Sequence, residues 1–227
     1  MKRLILTMVL ILALAPLAGA QTTKTTARTK EKKMTEQTTE TLKARDGLHP
    51  LVVMQTSLGD ITLELDAEKA PISTLNFIQY AKDGYYKGLI FHRIDPNFMI
   101  QGGGYFPDNR EKGGQRPPIK NEWNNGLKNV RGTIAMARTN APDSATAQFF
   151  INVVDNMFLS EPRSGAGYAV FGKVVKGLDV VEKIRNAQTT FSPIMGDNTM
   201  PATPIVIKDV KLVSDFDQAA AEKNVKK

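Results

Sequence analysis

The sequence predicts a mainly β domain of antiparallel strands. Three observations carry this: eight short runs read as strands, only two stretches have helical spacing, and strand and helix do not alternate along the chain. A parallel sheet would need a crossover, usually a helix, between paired strands, so an antiparallel barrel or a sandwich remains. Composition does not choose between these two.

The pattern begins abruptly at Leu51. Leu51–Ser57 and Asp60–Leu65 flank Leu58-Gly59 and predict a hairpin, with Ile61, Leu63 and Leu65 on one face and Thr62 and Glu64 on the other. Pro71 opens a helix in which Ile72, Leu75 and Ile78 recur at helical spacing, ending at Gly84. Ala70 offers no side-chain acceptor and is a poor N-cap for it. Further strands are expected at 88–94, 98–101, 132–138, 147–153, 168–175 and 204–213. A second helix is expected from Leu178 to Ala187, with Val180, Val181 and Ile184 as its apolar side. The tail, 215–227, has the composition of a short, frayed helix.

Ahead of Leu51 the chain has a different character. Residues 1–20 begin with Lys2 and Arg3, continue through an apolar run from Leu4 to Leu14 and end in Ala18-Gly19-Ala20, the three-part pattern of a secretory signal peptide cleaved near Ala20. The run is shorter than the roughly 20 residues that cross a bilayer, so no stable membrane insertion is expected after cleavage. The periplasm, or full secretion, is the expected location. Residues 21–46 are rich in Thr, Lys and Glu and nearly devoid of apolar side chains, which predicts a disordered linker.

Charge and cysteine content exclude several classes of function. Of the net charge of +7, Lys2 and Arg3 supply two units, and residues 21–46 hold seven Lys or Arg against four acids, leaving +2 for the rest. A broad phosphate-binding face is therefore not expected, nor nucleic acid as a partner. The absence of cysteine removes disulfides, thiolate catalysis and zinc–thiolate sites. With His49 and His92 as the only histidines and no Gly-x-Ser-x-Gly elbow, a hydrolase has little to draw on, and no spacing suggests a metal enzyme.

The most informative stretch is Phe91–Gly104, FHRIDPNFMIQGGG, which interleaves large apolar side chains with one arginine and one glutamine. Period-2 alternation puts His92 and Ile94 on one face and Phe91 and Arg93 on the other, and separates Phe98 and Ile100 from Met99 and Gln101. His92 then reads as an interior histidine. Gly102-Gly103-Gly104 is followed by no Lys-Ser pair or helix start, so it predicts a tight strand exit instead of a phosphate cradle. A second stretch, Gly132–Arg138 followed by Gln148–Asn152, repeats the theme, with Phe149 alternating toward the core and Phe150 away from it.

Taken together, Phe91-His92-Arg93, Phe98-Met99-Ile100-Gln101-Gly102-Gly103, Met136-Ala137 and Gln148-Phe149-Phe150 resemble the signature of the cyclophilin family of peptidyl-prolyl cis/trans isomerases, or rotamases. The resemblance spans roughly residues 51–213 in order and is greatest to the exported cyclophilins of Gram-negative bacteria. It implies an eight-stranded closed antiparallel β-barrel capped by two α-helices, in a domain spanning 47–214. Side chains fill such a barrel, so its active groove lies on the outer surface. It also implies a monomer with neither cofactor nor metal, acting on X-Pro bonds of unfolded or loosely folded exported polypeptides.

Residue by residue, the resemblance makes Arg93 the catalytic donor, with Gln101 orienting Arg93 or the substrate. Phe98, Met99, Phe150 and Leu159 would line a proline pocket with Phe158 at its rim and Ala137 beside it, the backbone of Arg138 would hold the peptide, and Tyr168 would supply a polar tip. Two departures from the best-known eukaryotic members stand out: Phe158 replaces a tryptophan and Tyr168 a histidine. Phenylalanine lacks the indole N–H donor, so tight cyclosporin binding is not expected, whereas isomerisation is less affected. A competing reading, a non-catalytic proline-peptide binding module, needs the apolar pocket but not Arg93.

Overall fold

A computed structural model describes residues 43–162 and 165–226, so the expected signal peptide and most of the expected linker lie outside the described residues. Strands β1 (Leu51–Thr56) and β2 (Gly59–Leu65) pair antiparallel, with Thr56 opposite Gly59. The hairpin turn is thus Ser57-Leu58, one residue earlier than the sequence suggests. Gly59 has φ +131, and a Cβ there would lie 2.8 Å from Val180 Cγ2, so the turn closes only around a glycine.

The remaining elements are α1 (Pro71–Lys82), β3 (Phe91–Asp95), β4 (Met99–Gly102), β5 (Thr133–Met136), β6 (Phe149–Asn152), β7 (Val170–Lys176), α2 (Leu178–Arg185), β8 (Thr189–Ser192), β9 (Asp197–Pro201), β10 (Ile207–Leu212) and α3 (Gln218–Val225). Eight strands form one antiparallel sheet in the order β10-β1-β2-β7-β5-β6-β4-β3. The sheet curls until its edge strands meet. A bridge between Ile90 and Val206, with Phe91 N donating to Ile205 O at 3.0 Å and Ile207 N to Leu89 O at 2.7 Å, draws the seam together. β8 and β9 form a separate small hairpin. Sequence reasoning missed it because its strands are largely exposed, Phe191 by 59 %, and show no apolar face.

The interior holds Ile61, Leu63 and Leu65 as expected, with Ile134, Phe149, Ile151 and Phe171. α1 packs against β7 and β10, and α2 against β2, β3 and β4. α2 ends at Arg185 and buries Val180, Val181 and Ile184, the predicted side. On α1, however, the core face is Phe77, Ile78, Tyr80 and Ala81, while Ile72 and Leu75 are only half-buried and line a groove shared with Phe216 and Val225. The tail explains the difference. α3 is capped by Asp217, whose carboxylate accepts from Ala220 N at 2.8 Å, and packs on α1 with Ala221 fully buried, so it is an integral helix and not a frayed end.

α1 also shows how a poor local cap is compensated. Glu122, from a loop far along the chain, accepts Ile72 N at 2.9 Å, Ser73 N at 2.8 Å and Ser73 Oγ at 2.7 Å. These are the orphan donors that Ala70 cannot satisfy. Burial pushes the Glu122 carboxyl above its usual range, against the opposing pull of these hydrogen bonds.

Candidate functional site

One irregularity in β3 sets up the site. The register pairs Phe91 with Gly102 but Arg93 with Gln101, so an extra residue is accommodated at the start of the strand. Such a bulge re-aims side chains. Phe91 joins the interior together with Ile94, instead of sharing the face of Arg93 as simple alternation predicts. His92 is buried at 1 % exposure against Tyr105, with ring centroids 4.7 Å apart. Burial first, and then the charge of Arg93, lower its pKa to about 4, so it is neutral at physiological pH and sits apart from the groove.

From Arg93 outward, register builds a row across the curled sheet. Arg93 faces Gln101, Gln101 faces Phe150, and Phe150 faces Ala135. Opposed residues of neighbouring strands stand about 4.5–5.5 Å apart, which places a cation, an amide and an aromatic ring side by side. Alternation on β5 and β6 works as expected: Ile134, Met136, Phe149 and Ile151 point inward, and Ala135 and Phe150 join a second apolar cluster with Met99, Leu159 and Val170. This cluster is the floor of a groove on the outer surface.

The structure brings nine of the ten expected site residues to one hollow of about 90 Å³: Arg93, Phe98, Met99, Gln101, Ala137, Arg138, Phe150, Leu159 and Tyr168. The tenth, Phe158, stacks on Phe98 with centroids 5.8 Å apart and is 41 % exposed, which makes it the rim. Tyr168 meets Phe150 edge-on at 5.7 Å. The Arg138 side chain lies over the Tyr168 ring at 4.5 Å, donates to Gly167 O at 3.1 Å and to Thr139 O at 2.8 Å, and also bonds Ala166 O. That engagement leaves its backbone as the part expected to meet a peptide.

Arg93 differs from Arg138. Its Cζ is 5.9 Å from the centroid of Phe98, and its Nε is buried without a hydrogen-bond partner among the described residues. An unpaired buried donor costs about 1–3 kcal/mol and is uncommon in folded proteins. Here it borders the hollow. Gln101 is held by a residue that the sequence did not single out for a role, Gln148, whose Oε1 accepts from Gln101 Nε2 at 3.0 Å. Gly104 makes room for this, because a Cβ there would lie 2.6 Å from Gln148 Cδ, and Gly103 turns the chain at φ +87. The triple glycine is therefore a strand exit that also clears space behind the groove.

Sequence reasoning missed the scaffold that fixes the hollow's width. Asn152 Nδ2 donates to Asn129 Oδ1 at 3.1 Å and Thr133 Oγ1 at 3.0 Å, and Asn156 Nδ2 donates to Asn152 Oδ1 and Phe98 O, both at 2.8 Å. Asn129 in turn donates from Nδ2 to Tyr168 O at 3.1 Å and from its backbone to Ser160 Oγ at 2.9 Å. Asn129, Asn152, Asn156 and Ser160 are buried, and Thr133 is half-buried. The only trace of them in the sequence is Asn152 itself, an amide closing an otherwise apolar strand.

Comparison with known proteins agrees with this geometry. Residues 51–212 match the family described as cyclophilin type peptidyl-prolyl cis-trans isomerase/CLD. The chain is 55 % identical over 164 residues to a peptidyl-prolyl cis-trans isomerase of Acinetobacter baylyi, covering 72 % of this chain and 86 % of the relative. It is 50 % identical over 163 residues to peptidyl-prolyl cis-trans isomerase B of Escherichia coli, covering 70 % and 98 %. Among solved structures, a Cryptosporidium parvum cyclophilin type peptidyl-prolyl cis-trans isomerase, crystallised in the presence of the dipeptide Ala-Pro, is similar with a TM-score of 0.60 and 31 % identity, covering 72 % of this chain and 99 % of that one.

Proposed function

The chain belongs to the cyclophilin type peptidyl-prolyl cis-trans isomerases, and from that premise we propose that it accelerates X-Pro rotation in exported polypeptides as they fold, with Arg93 as the donor to the twisting amide. Rotation about the C–N bond meets a barrier of about 18–20 kcal/mol because the planar amide is conjugated. No bond breaks. A catalyst needs only to bind the twisted, deconjugated amide better than either planar isomer.

Each residue has a part in that task. The hollow of Phe98, Met99, Phe150 and Leu159 would hold the proline ring, and Phe158 would cover it. As the amide twists, its nitrogen regains a lone pair. A guanidinium only donates and stays charged, so Arg93 stabilises that lone pair without transferring a proton. Gln101, braced by Gln148, would orient the substrate carbonyl or Arg93. The observation that carries the reading is the buried, unpartnered Nε of Arg93 beside an apolar hollow. A proline-peptide binding module without catalysis would have no use for it.

Replacing Arg93 by Ala tests the mechanism. Turnover of a proline-containing test peptide should fall about 10²–10³-fold, the usual cost of one preorganised donor, while the circular dichroism spectrum stays unchanged. Retained turnover would remove Arg93 from this role. The export context rests on the pattern of residues 1–20 and is tested by sequencing the N-terminus of the protein recovered from cell fractions. Gln21 at the start of a periplasmic or secreted species is expected, and an uncleaved cytoplasmic chain would refute it. The same reading takes the protein to act as a monomer.

A further inference from the structure

Outside the lining of the groove, the sequence just ahead of β1 meets the loop just after β2. His49 is 4 % exposed, and its Nδ1 lies 2.7 Å from Asp46 Oδ1. A carboxylate only accepts hydrogen bonds, so Nδ1 carries a proton, and in the neutral ring Nε2 presents a lone pair. That Nε2 is buried and has no hydrogen-bond partner among the described residues. It points at two carboxylates, 3.7 Å from Asp66 Oδ1 and 3.8 Å from Glu68 Oε2, too far for hydrogen bonds. The three ligand atoms all lie within 4.8 Å of one another.

We propose that His49, Asp66 and Glu68 form a divalent-cation site suited to zinc. Zinc takes imidazole nitrogen and carboxylate oxygen at about 2.0–2.2 Å, and a tetrahedral centre then spaces its ligand atoms about 3.3–3.6 Å apart. The two distances from Nε2, 3.7 and 3.8 Å, need only a small contraction, and the exposed Glu68 side chain is free to close the remaining Asp66–Glu68 spacing, which is within 4.8 Å. Two carboxylates and a neutral ring balance the charge of one divalent ion. The fourth position falls to water, since Glu68 is exposed and the triad is open on that side. Asp46 supplies the outer carboxylate that commonly fixes the tautomer of a metal-binding histidine. The loop is already positioned: Ala67 N donates to Leu48 O at 2.8 Å, Asp66 N to Phe171 O at 2.9 Å, and Lys69 N to Asp66 Oδ1 at 2.8 Å. A bound ion would clamp the residues preceding β1 onto the sheet.

The test is calorimetric titration of zinc chloride into the untagged, chelator-treated full chain, with thermal unfolding alongside. One site per chain and a zinc-dependent rise in Tm are expected. Glu68→Gln, at an exposed position that leaves the fold intact, should weaken binding at least tenfold, and Asp46→Asn, acting only through the ring, about 10–100-fold. His49→Ala should abolish the site; because it also deletes a buried ring, the Glu68→Gln result decides. Isomerase turnover should be unchanged in Glu68→Gln. No saturable binding by the wild type, or equal binding by wild type and Glu68→Gln, would overturn the assignment.

Discussion

Truncating Asn156 to Ala separates the groove's lining from the scaffold that spaces it. Asn156 is 2 % exposed, and its Nδ2 serves two acceptors at 2.8 Å, Phe98 O and Asn152 Oδ1. Alanine keeps the backbone bond from Asn156 N to Asn129 O but deletes both side-chain donations. A buried acceptor left without its donor costs about 1–3 kcal/mol, and Phe98 O falls at the low end because Val153 N also reaches it at 3.3 Å. The sum is a loss of roughly 2–4 kcal/mol, or a Tm lower by roughly 5–15 °C for a domain of this size. Turnover should fall as well, because Phe98 is freed to shift, and a misplacement near 1 Å costs up to about 10²-fold in rate. The assay pairs thermal unfolding with peptide isomerisation far below the Tm, so that loss of rate is not loss of folded protein. Asn156→Asp is the companion variant: it keeps the shape but turns a donor toward neither acceptor, and should be at least as unstable. A change below about 0.5 kcal/mol, typical of a surface substitution, with undiminished turnover would refute the scaffold's role.

Two further outcomes follow from the buried ionisable groups. His92 has a folded pKa of about 4 against 6.5 for a free ring, so the unfolded chain binds more protons between these values and stability falls as pH drops through that window. The full effect is on the order of 3 kcal/mol below pH 4, and a His92→Phe variant should show a flatter Tm-versus-pH curve from pH 6.5 to 4; an unchanged slope would show that His92 does not carry it. Glu122→Ala should cost about 1–2 kcal/mol, the usual value of a lost helix cap, measured by urea unfolding. A loss indistinguishable from zero would mean that Ile72 and Ser73 find other acceptors.

Most strands were legible because a strand with one face in the core leaves a period of two. Ile61, Leu63 and Leu65, and the inward Phe149 against the outward Phe150, needed nothing beyond alternation. The same rule failed at Phe91, where the bulge in β3 sends two residues of one parity to different surroundings. It failed on α1 for another reason: Ile72 and Leu75 answer to the C-terminal helix, and periodicity reports that a face is apolar without naming what covers it. The small β8–β9 hairpin buries too little to leave a pattern at all.

The lining of the groove was readable from its motifs, while its support was not, and the difference is one of range. Arg93, Phe98, Gln101 and Phe150 lie in short runs whose order survives translation into neighbouring strands. Asn156 reaches Phe98 across 58 residues, Asn129 reaches Ser160 across 31, and Glu122 reaches Ser73 across 49. Nothing local marks such pairs, because a polar residue bound for a buried partner and one bound for solvent look alike in sequence. The consequence bears on function. The motif specifies which side chains face outward, and the amides specify how far apart they stand. A chain could therefore keep the whole signature and still lose a hollow of the right width through one change at Asn152 or Asn156, since preorganised donors act only where their geometry is fixed before the peptide arrives.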